Sequence, residues 1–296
     1  MKTNNDYAMF RRKLIAAGYE PLSQEPFLQG YLALQDLKEN ASQVSTLLFD
    51  GEPGAGKTYF AECVAKMLGA KLLRYQLTPN AGAEQLLYDL HFLRIIQGMA
   101  GVDVPKSPQD LFSSGILVQA FQESLHGPTL LLLDEFDKAL PEVDSFLLGC
   151  LQDKAIHDPH IGSQPCDPAN LLVIITKNDQ RTLSNALMRR TRRVYLGFPH
   201  PDQECALLLK HIPTFPLQEA RTLISLANKL RAQKEKALKV PSTPELIRCA
   251  NDLLVAPAEV AGSVVEQWLV AFPQDRSLLK QSTAELAGLF KYASGR

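Results

Sequence analysis

No stretch of the 296-residue chain approaches the ~18 consecutive apolar residues that a membrane-spanning helix needs, so no such span is expected. The opening Met1 to Glu20 carries Arg11, Arg12 and Lys13 but no apolar core of secretion-signal length. Cysteine is sparse. The five, Cys63, Cys150, Cys166, Cys205 and Cys249, are odd in number, and no two stand at a metal-ligand spacing such as C-x-x-C. That pattern predicts reduced thiols in a cytoplasmic protein and argues against a disulfide framework or a zinc site. Charge of one sign is also missing: 31 Lys and Arg face 32 Asp and Glu, a net charge of -1. A global field that would gather nucleic acid or anionic lipid is therefore absent, and only local basic patches remain to be weighed. No internal repeat or low-complexity tract is visible.

What is present is an ordinary globular composition, 46% hydrophobic, in a chain long enough for one large domain or a core with a smaller companion. Tyr7 to Gly18 has the spacing of a short amphipathic helix stopped by glycine, and 27–40 reads as a second helix. Ser45 to Asp50 is then a short apolar run ending at a glycine-rich turn, the mark of a buried parallel strand, and Tyr59 to Leu68 returns to helical spacing. Lys71 to Gln76, Leu130 to Leu133, Leu171 to Thr176 and Val194 to Phe198 repeat the strand pattern, with helical stretches around 114–124 and 143–152. Strands separated by helices predict an α/β fold with a parallel sheet. Beyond Pro199 and Pro201, the stretches 203–211, 218–238, 243–254 and 258–270 all read as helices. The expected organisation is an N-terminal helical segment over 1–26, an α/β core over 27–200 and an all-helical domain over 201–296.

Gly51-Glu52-Pro53-Gly54-Ala55-Gly56-Lys57-Thr58 fits G-x-x-x-x-G-K-[ST] and sits between a strand and a helix, as that motif requires. The glycines let backbone N–H groups close on phosphate oxygens, and the following helix turns its positive end to the same charge. Glu52, Pro53, Gly54, Ala55, Gly56, Lys57, Thr58 and Tyr59 are the expected nucleotide contacts. Lys57 would reach the β and γ phosphates and Thr58 would ligate magnesium, so ATP and Mg2+ are the expected cofactors. Leu130-Leu131-Leu132-Leu133-Asp134-Glu135 is an apolar strand ending in two carboxylates. Such residues also cap helices, but downstream of a phosphate loop Asp134 is placed to hold the magnesium and Glu135 to polarise the attacking water. Asn178, at the tip of Leu171 to Thr176, is placed to touch the γ-phosphate; turn geometry alone also favours asparagine there. Arg189, Arg190, Arg192 and Arg193 form a dense group. They can cap a helix, bind nucleic acid, or supply a finger to a neighbouring subunit's phosphoryl transfer.

In this order the motifs resemble the AAA+ ATPases. Finer details are similar to the MoxR-like and dynein-related branch: Asp134-Glu135-Phe136-Asp137-Lys138-Ala139 followed by Pro141-Glu142-Val143 and Leu147-Leu148, the run Leu183 to Arg190, and Gly115 to Ala120. The resemblance runs from about residue 27 to 255. It implies a P-loop NTPase sheet flanked by helices, followed by a small helical lid. Arg190 matches the family's arginine-finger position, with Arg189 second, and Asn178 matches its sensor asparagine. Residues 80–113 fall where this branch inserts structure into its second helix, and 154–170 where it carries a hairpin. Members commonly form hexameric rings with each ATP site at a subunit interface, so a homo-oligomer is expected. No von Willebrand-type recruitment domain is visible, and a separate protein partner is expected to supply specificity. One departure stands out: Pro244 occupies the slot where a lid-helix arginine often meets the phosphates. Arg248, one turn further on, can substitute or can be a solvated surface residue. Ser242 and Glu245 have capping-box spacing.

Three other readings compete with an ATP-driven remodelling enzyme. Thr176-Lys177-Asn178-Asp179 fits the T-K-x-D pattern with which GTPases read guanine, although Asp137 stands where a GTPase needs glycine. Some relatives, the McrB-type motors, do use GTP. Lys229, Arg231, Lys234, Lys236 and Lys239 form a basic stretch suited to a nucleic-acid motor, but Leu223, Ala227 and Leu230 mark it as the solvated side of an amphipathic helix. The third is a nucleotide-dependent switch with weak turnover.

Overall fold

A computed structural model describes residues 2–20, 23–39, 43–90, 112–233 and 240–270. The chain divides into two compact units, Met1–Gly51 with Gly56–Leu196, and Glu52–Ala55 with Gly197–Arg296.

The first unit opens with α1 (Lys2–Ala16) and α2 (Glu25–Glu39), then β1 (Ser45–Gly51), α3 (Lys57–Leu68) and β2 (Lys71–Gln76). A short α4 (Glu84–Leu87) leads into an antiparallel pair, β3 (Tyr88–Leu90) with β4 (Phe112–Ser114). Residues 91–111, most of the expected insertion at 80–113, lie outside the described residues. There follow α5 (Ile116–Ser124), β5 (Thr129–Asp134), α6 (Glu142–Asp153), the hairpin of β6 (Ala155–Asp158) and β7 (Gly162–Pro165), β8 (Leu171–Thr176), α7 (Asn185–Arg190) and β9 (Arg192–Leu196). Five strands pair as β2-β5-β8-β1-β9, every pair parallel.

All six residues of β5 and all six of β8 are buried, because helices cover both faces of the sheet. That double burial is why the two strands read as unbroken apolar runs. On one face Leu48, Leu131, Leu133, Val173 and Ile175 pack with Phe121, Phe136 and Leu147. On the side of α3, Phe49 meets Phe60 with ring centroids 4.8 Å apart, Tyr19 stands edge-on to Phe60 at 5.1 Å, and Tyr19 meets Phe27 at 5.5 Å. Phe10 and Leu14 are buried as well, so α1 packs on the core and is not a free arm. Gly30 of α2 lies so close to Phe60 that a β-carbon would stand 2.9 Å from the ring.

The last strand lies two residues earlier than the expected 194–198. Val194 and Leu196 point inward while Arg193 and Tyr195 point out, and Arg192 reaches Asp36 of α2 with contacts of 2.6 and 2.8 Å. Two members of the arginine group are therefore strand residues. All five cysteines are buried and free; burial pushes the Cys150, Cys166 and Cys249 thiols up to about 12, which makes them inert at neutral pH. No helix among the described residues is long and apolar enough to cross a membrane.

The second unit is helical: α8 (Pro201–His211), α9 (Leu217–Arg231), α10 (Thr243–Val255), a 3-10 turn (Ala258–Val260) and α11 (Ala261–Leu269). The expected single helix over 258–270 is thus split, and the expected 218–238 helix stops at Arg231, with a turn at 232–233 and the remainder, 234–238, outside the described residues. Leu208, Leu223, Ala227, Leu246, Cys249, Leu253 and Val265 form its core. Glu245 accepts from the Ser242 backbone N–H at 2.8 Å, the capping-box contact that starts α10.

Inside this unit sits a buried ion pair. Glu204 is fully buried and accepts from the two terminal guanidinium nitrogens of Arg231, at 2.7 and 2.9 Å, and from the Thr243 hydroxyl at 2.6 Å. Arg231 also donates to the Pro241 carbonyl at 2.9 Å and lies 3.9 Å from the Phe198 ring centroid. One pair therefore ties together α8, α9 and the start of α10. The assignment of Arg231 to a solvated basic stretch is corrected: it is 8% exposed. Lys234, Lys236 and Lys239 of that stretch lie outside the described residues.

Arg231→Met leaves the Glu204 carboxylate buried without its counter-charge. Breaking a pair of this kind costs about 3–5 kcal/mol, so the urea midpoint followed by circular dichroism falls clearly below that of the unmodified chain. An unchanged midpoint contradicts the role given to the pair.

Candidate functional site

β1 ends at Gly51, whose φ of 132° and proximity to Leu196 leave no room for a side chain; a β-carbon would come 2.0 Å from the Leu196 carbonyl oxygen. The loop that follows turns through Gly54 (φ 73°) and Gly56 (φ 90°) and enters α3 at Lys57. At Gly56 a β-carbon position has nothing within 4 Å, so the chain at this one position faces open space where a ligand can approach. The first turn of a helix leaves backbone N–H groups without intrahelical acceptors, and its dipole adds positive potential. Loop and helix start together form an anion cradle.

Lys57 is buried, and its ammonium group donates to the Gly51 carbonyl at 2.6 Å and to the Asn178 side-chain oxygen. The Thr58 hydroxyl lies 3.1 and 3.2 Å from the two carboxylate oxygens of Asp134. Asp134 also accepts from the Thr176 hydroxyl at 2.6 Å and from Arg74 at 2.7 Å, and Arg74 bridges onward to Glu62 at 3.6 Å. Glu135 adopts a left-handed backbone (φ 55°), which turns the chain out of β5, and its backbone N–H donates to Thr176 at 3.0 Å. Its carboxylate accepts from Gln76 at 2.8 Å and from Lys138 at 2.5 Å. Burial pushes the Glu135 pKa up, but the Lys138 and Gln76 contacts outweigh it and hold the carboxyl below its ordinary value. Glu135 is therefore ionised at neutral pH and can accept a proton.

Lys57, Thr58, Asp134, Glu135 and Asn178 thus meet at the C-terminal ends of β1, β5 and β8, three neighbours in the sheet. Arg189 and Arg190 are not part of this cluster; both are exposed at the end of α7. Arg248 lies in the second unit, exposed, with its guanidinium 5.8 Å from the Trp268 ring centroid. Sequence reasoning missed Arg74, Gln76, Lys138 and Thr176. Arg74 and Gln76 lie on the same side of β2, and Gln76 is paired with Asp134. A period-two pattern gives their common face, but only the pairing of β2 with β5 gives their neighbour.

The order β2-β5-β8-β1-β9 with a phosphate-type loop after β1 defines a P-loop NTPase fold. Residues 46–193, half of the chain, match the family profile described as AAA domain (dynein-related subfamily), and the chain belongs to that family. It is 29% identical over 189 residues to a peroxisomal Lon protease homolog 2 of Zea mays, a match covering 62% of this chain and 19% of that protein. It is 25% identical over 200 residues to the chaperone MoxR1 of Mycobacterium tuberculosis, covering 64% of this chain and 45% of that one. In each case the match spans less than half of the relative. Among solved structures, a P216G mutant of Thermotoga maritima RuvB superposes with a TM-score of 0.50 at 15% identity, covering 83% of this chain and 68% of that one; this likeness concerns the fold alone.

Lys57→Ala removes the one cation that points into the cradle from the start of α3. A hydrogen bond to a charged group is worth about 1.5–3 kcal/mol, so affinity for a fluorescent ATP analogue with magnesium falls about tenfold or more. Affinity within twofold of the unmodified chain contradicts the assignment.

Proposed function

We propose that this chain is an ATP-hydrolysing subunit that remodels a protein partner, with hydrolysis completed at interfaces between copies in a ring. The observation that carries the reading is the convergence of Lys57, Thr58, Asp134, Glu135 and Asn178 on the glycine loop. The fit to a nucleotide rests on the positive φ of Gly54 and Gly56 and the open space beside Gly56. The fit to magnesium rests on the paired oxygens of Thr58 and Asp134, the hard donors that this ion takes together with phosphates. When bound, magnesium supplies positive charge shared across the phosphate oxygens.

The chain's own residues divide the work. Glu52, Pro53, Gly54, Ala55 and Gly56 present backbone to the phosphates, Tyr59 extends this contact along α3, and Lys57 neutralises the terminal charge. Glu135 orients water and takes its proton; Lys138 and Gln76 hold it until then. Asn178 reports the terminal phosphate through Lys57. Arg190, with Arg189 as second choice, reaches the site of a neighbouring copy and stabilises the transferring group. Residues 201–296, whose described part is helical, are assigned the family's lid role. Arg248 serves the phosphates only if it leaves Trp268.

The contacts of Thr176-Lys177-Asn178-Asp179 favour a phosphate-side role over the guanine reading. Thr176 bonds Asp134, Asn178 bonds Lys57, and Lys177 pairs with Asp50 at 2.9 Å and Asp179 at 3.3 Å, so the motif serves the phosphate end. ATP is the proposed nucleotide. MoxR1 is named a chaperone, which agrees with a protein partner for this chain.

Glu135→Gln binds ATP without hydrolysing it and so holds complexes together. Recovered from cell extract with ATP and magnesium, it is expected to retain one or two specific proteins after nuclease treatment. Recovery that disappears with nuclease, or recovery of nucleic acid itself, contradicts the remodelling reading in favour of a nucleic-acid motor.

A further inference from the structure

The 3-10 turn Phe136–Lys138, directly after Glu135, carries a carboxylate that the proposed chemistry does not use. Asp137 is 3% exposed. Its Oδ2 accepts two backbone N–H groups of the loop after β8, from Asn178 at 2.9 Å and from Gln180 at 2.8 Å. Its Oδ1 has no hydrogen-bond partner among the described residues. Leaving a buried carboxylate oxygen unsatisfied is costly, so the other oxygen must hold a geometry with some other benefit. The residue between its two partners, Asp179, has φ 39°, a left-handed turn conformation that aspartate tolerates better than most residues, and the two N–H groups on either side of it are the ones Asp137 holds. At its start the loop is fixed separately, by the Lys177 N–H on the Phe49 carbonyl at 2.9 Å. Between these two anchors the Asn178 side chain points at the Lys57 ammonium group.

We propose that Asp137 is a positioning residue for hydrolysis: it clamps the 178–180 turn so that the Asn178 amide faces Lys57 and, beyond it, the terminal phosphate. Because Asp137 shares one tight turn with Glu135, the clamp also sets the spacing between the residue that activates water and the residue that reads the phosphate. A small error in such spacing can cost up to about a hundredfold in rate with little effect on ground-state binding. The inference rests on the proposed ATPase reading.

The test uses the full chain and measures phosphate release and binding of a fluorescent ATP analogue. Asp137→Ala lowers kcat about tenfold or more while KM and analogue affinity stay within about twofold. Asp137→Asn keeps an oxygen for both N–H groups and restores most of kcat. The double variant Asp137→Ala with Asn178→Ala is no slower than the slower single variant, because both remove the same contribution. Circular dichroism identifies a misfolded Asp137→Ala, and Asp137→Asn with Asn178→Ala then carries the test. Multiplying losses in the double variant, a raised KM at unchanged kcat, or an Asp137→Asn variant as slow as Asn178→Ala overturns the proposal. An unmodified chain that binds no ATP overturns the ATPase reading instead, which keeps the two failures apart.

Discussion

The level at which three parallel strands end is the constraint on which the rest of the site depends. Leu48 of β1 and Leu133 of β5 both pair with Ile175 of β8, so Gly51, Asp134 and Asn178 emerge on one edge of the sheet. A slip of one residue would send every side chain of a strand to the opposite face. It would carry Asp134 away from Thr58 and take Leu131 and Leu133 from the face they share with Phe121, Phe136 and Leu147 to the other covered face. The apolar residues of β5 and β8 thus fix the acidic and polar groups at their ends.

Around that edge, buried carboxylates convert a sheet into a site. Asp134 gathers Thr58, Thr176 and Arg74. Asp144 of α6, 1% exposed, takes Arg181 at 2.7 and 3.1 Å and the Ser184 N–H at 2.6 Å, and Arg181 also donates to the Ala139 carbonyl at 2.8 Å. This network holds the segment between β8 and α7, which ends in Arg189 and Arg190. Buried charge is costly unless paired, and each of these carboxylates is supplied with donors from a different element. Glu204 does the same for the helical unit, with Arg231 and Thr243.

Much of this was legible in the chain because it is local. The glycine loop, the apolar run into Asp134-Glu135 and the strand Leu171–Thr176 carry their signals within a few residues, and the structure brings their ends together. What was not legible depends on partners distant in sequence. Arg231 looks like one more basic residue until Glu204 is seen beside it. Arg74 and Gln76 look like the solvated side of a strand until β2 is set against β5. Arg192 looks like part of a basic cluster until α2 offers Asp36. Asp137 enters the sequence reading only within the run Asp134 to Ala139 and as a residue standing where a GTPase needs glycine, and its two acceptor contacts appear only once the loop after β8 has folded over it.

Steady-state phosphate release from ATP by the purified chain, measured with and without magnesium over a wide range of chain concentration, tests the central claim most directly. The proposed site, built from Lys57, Thr58, Asp134 and Glu135 and completed by an arginine of a neighbouring copy, is expected to give magnesium-dependent release whose rate per chain rises with concentration as copies assemble. Release that never exceeds the no-magnesium background at any concentration contradicts the account.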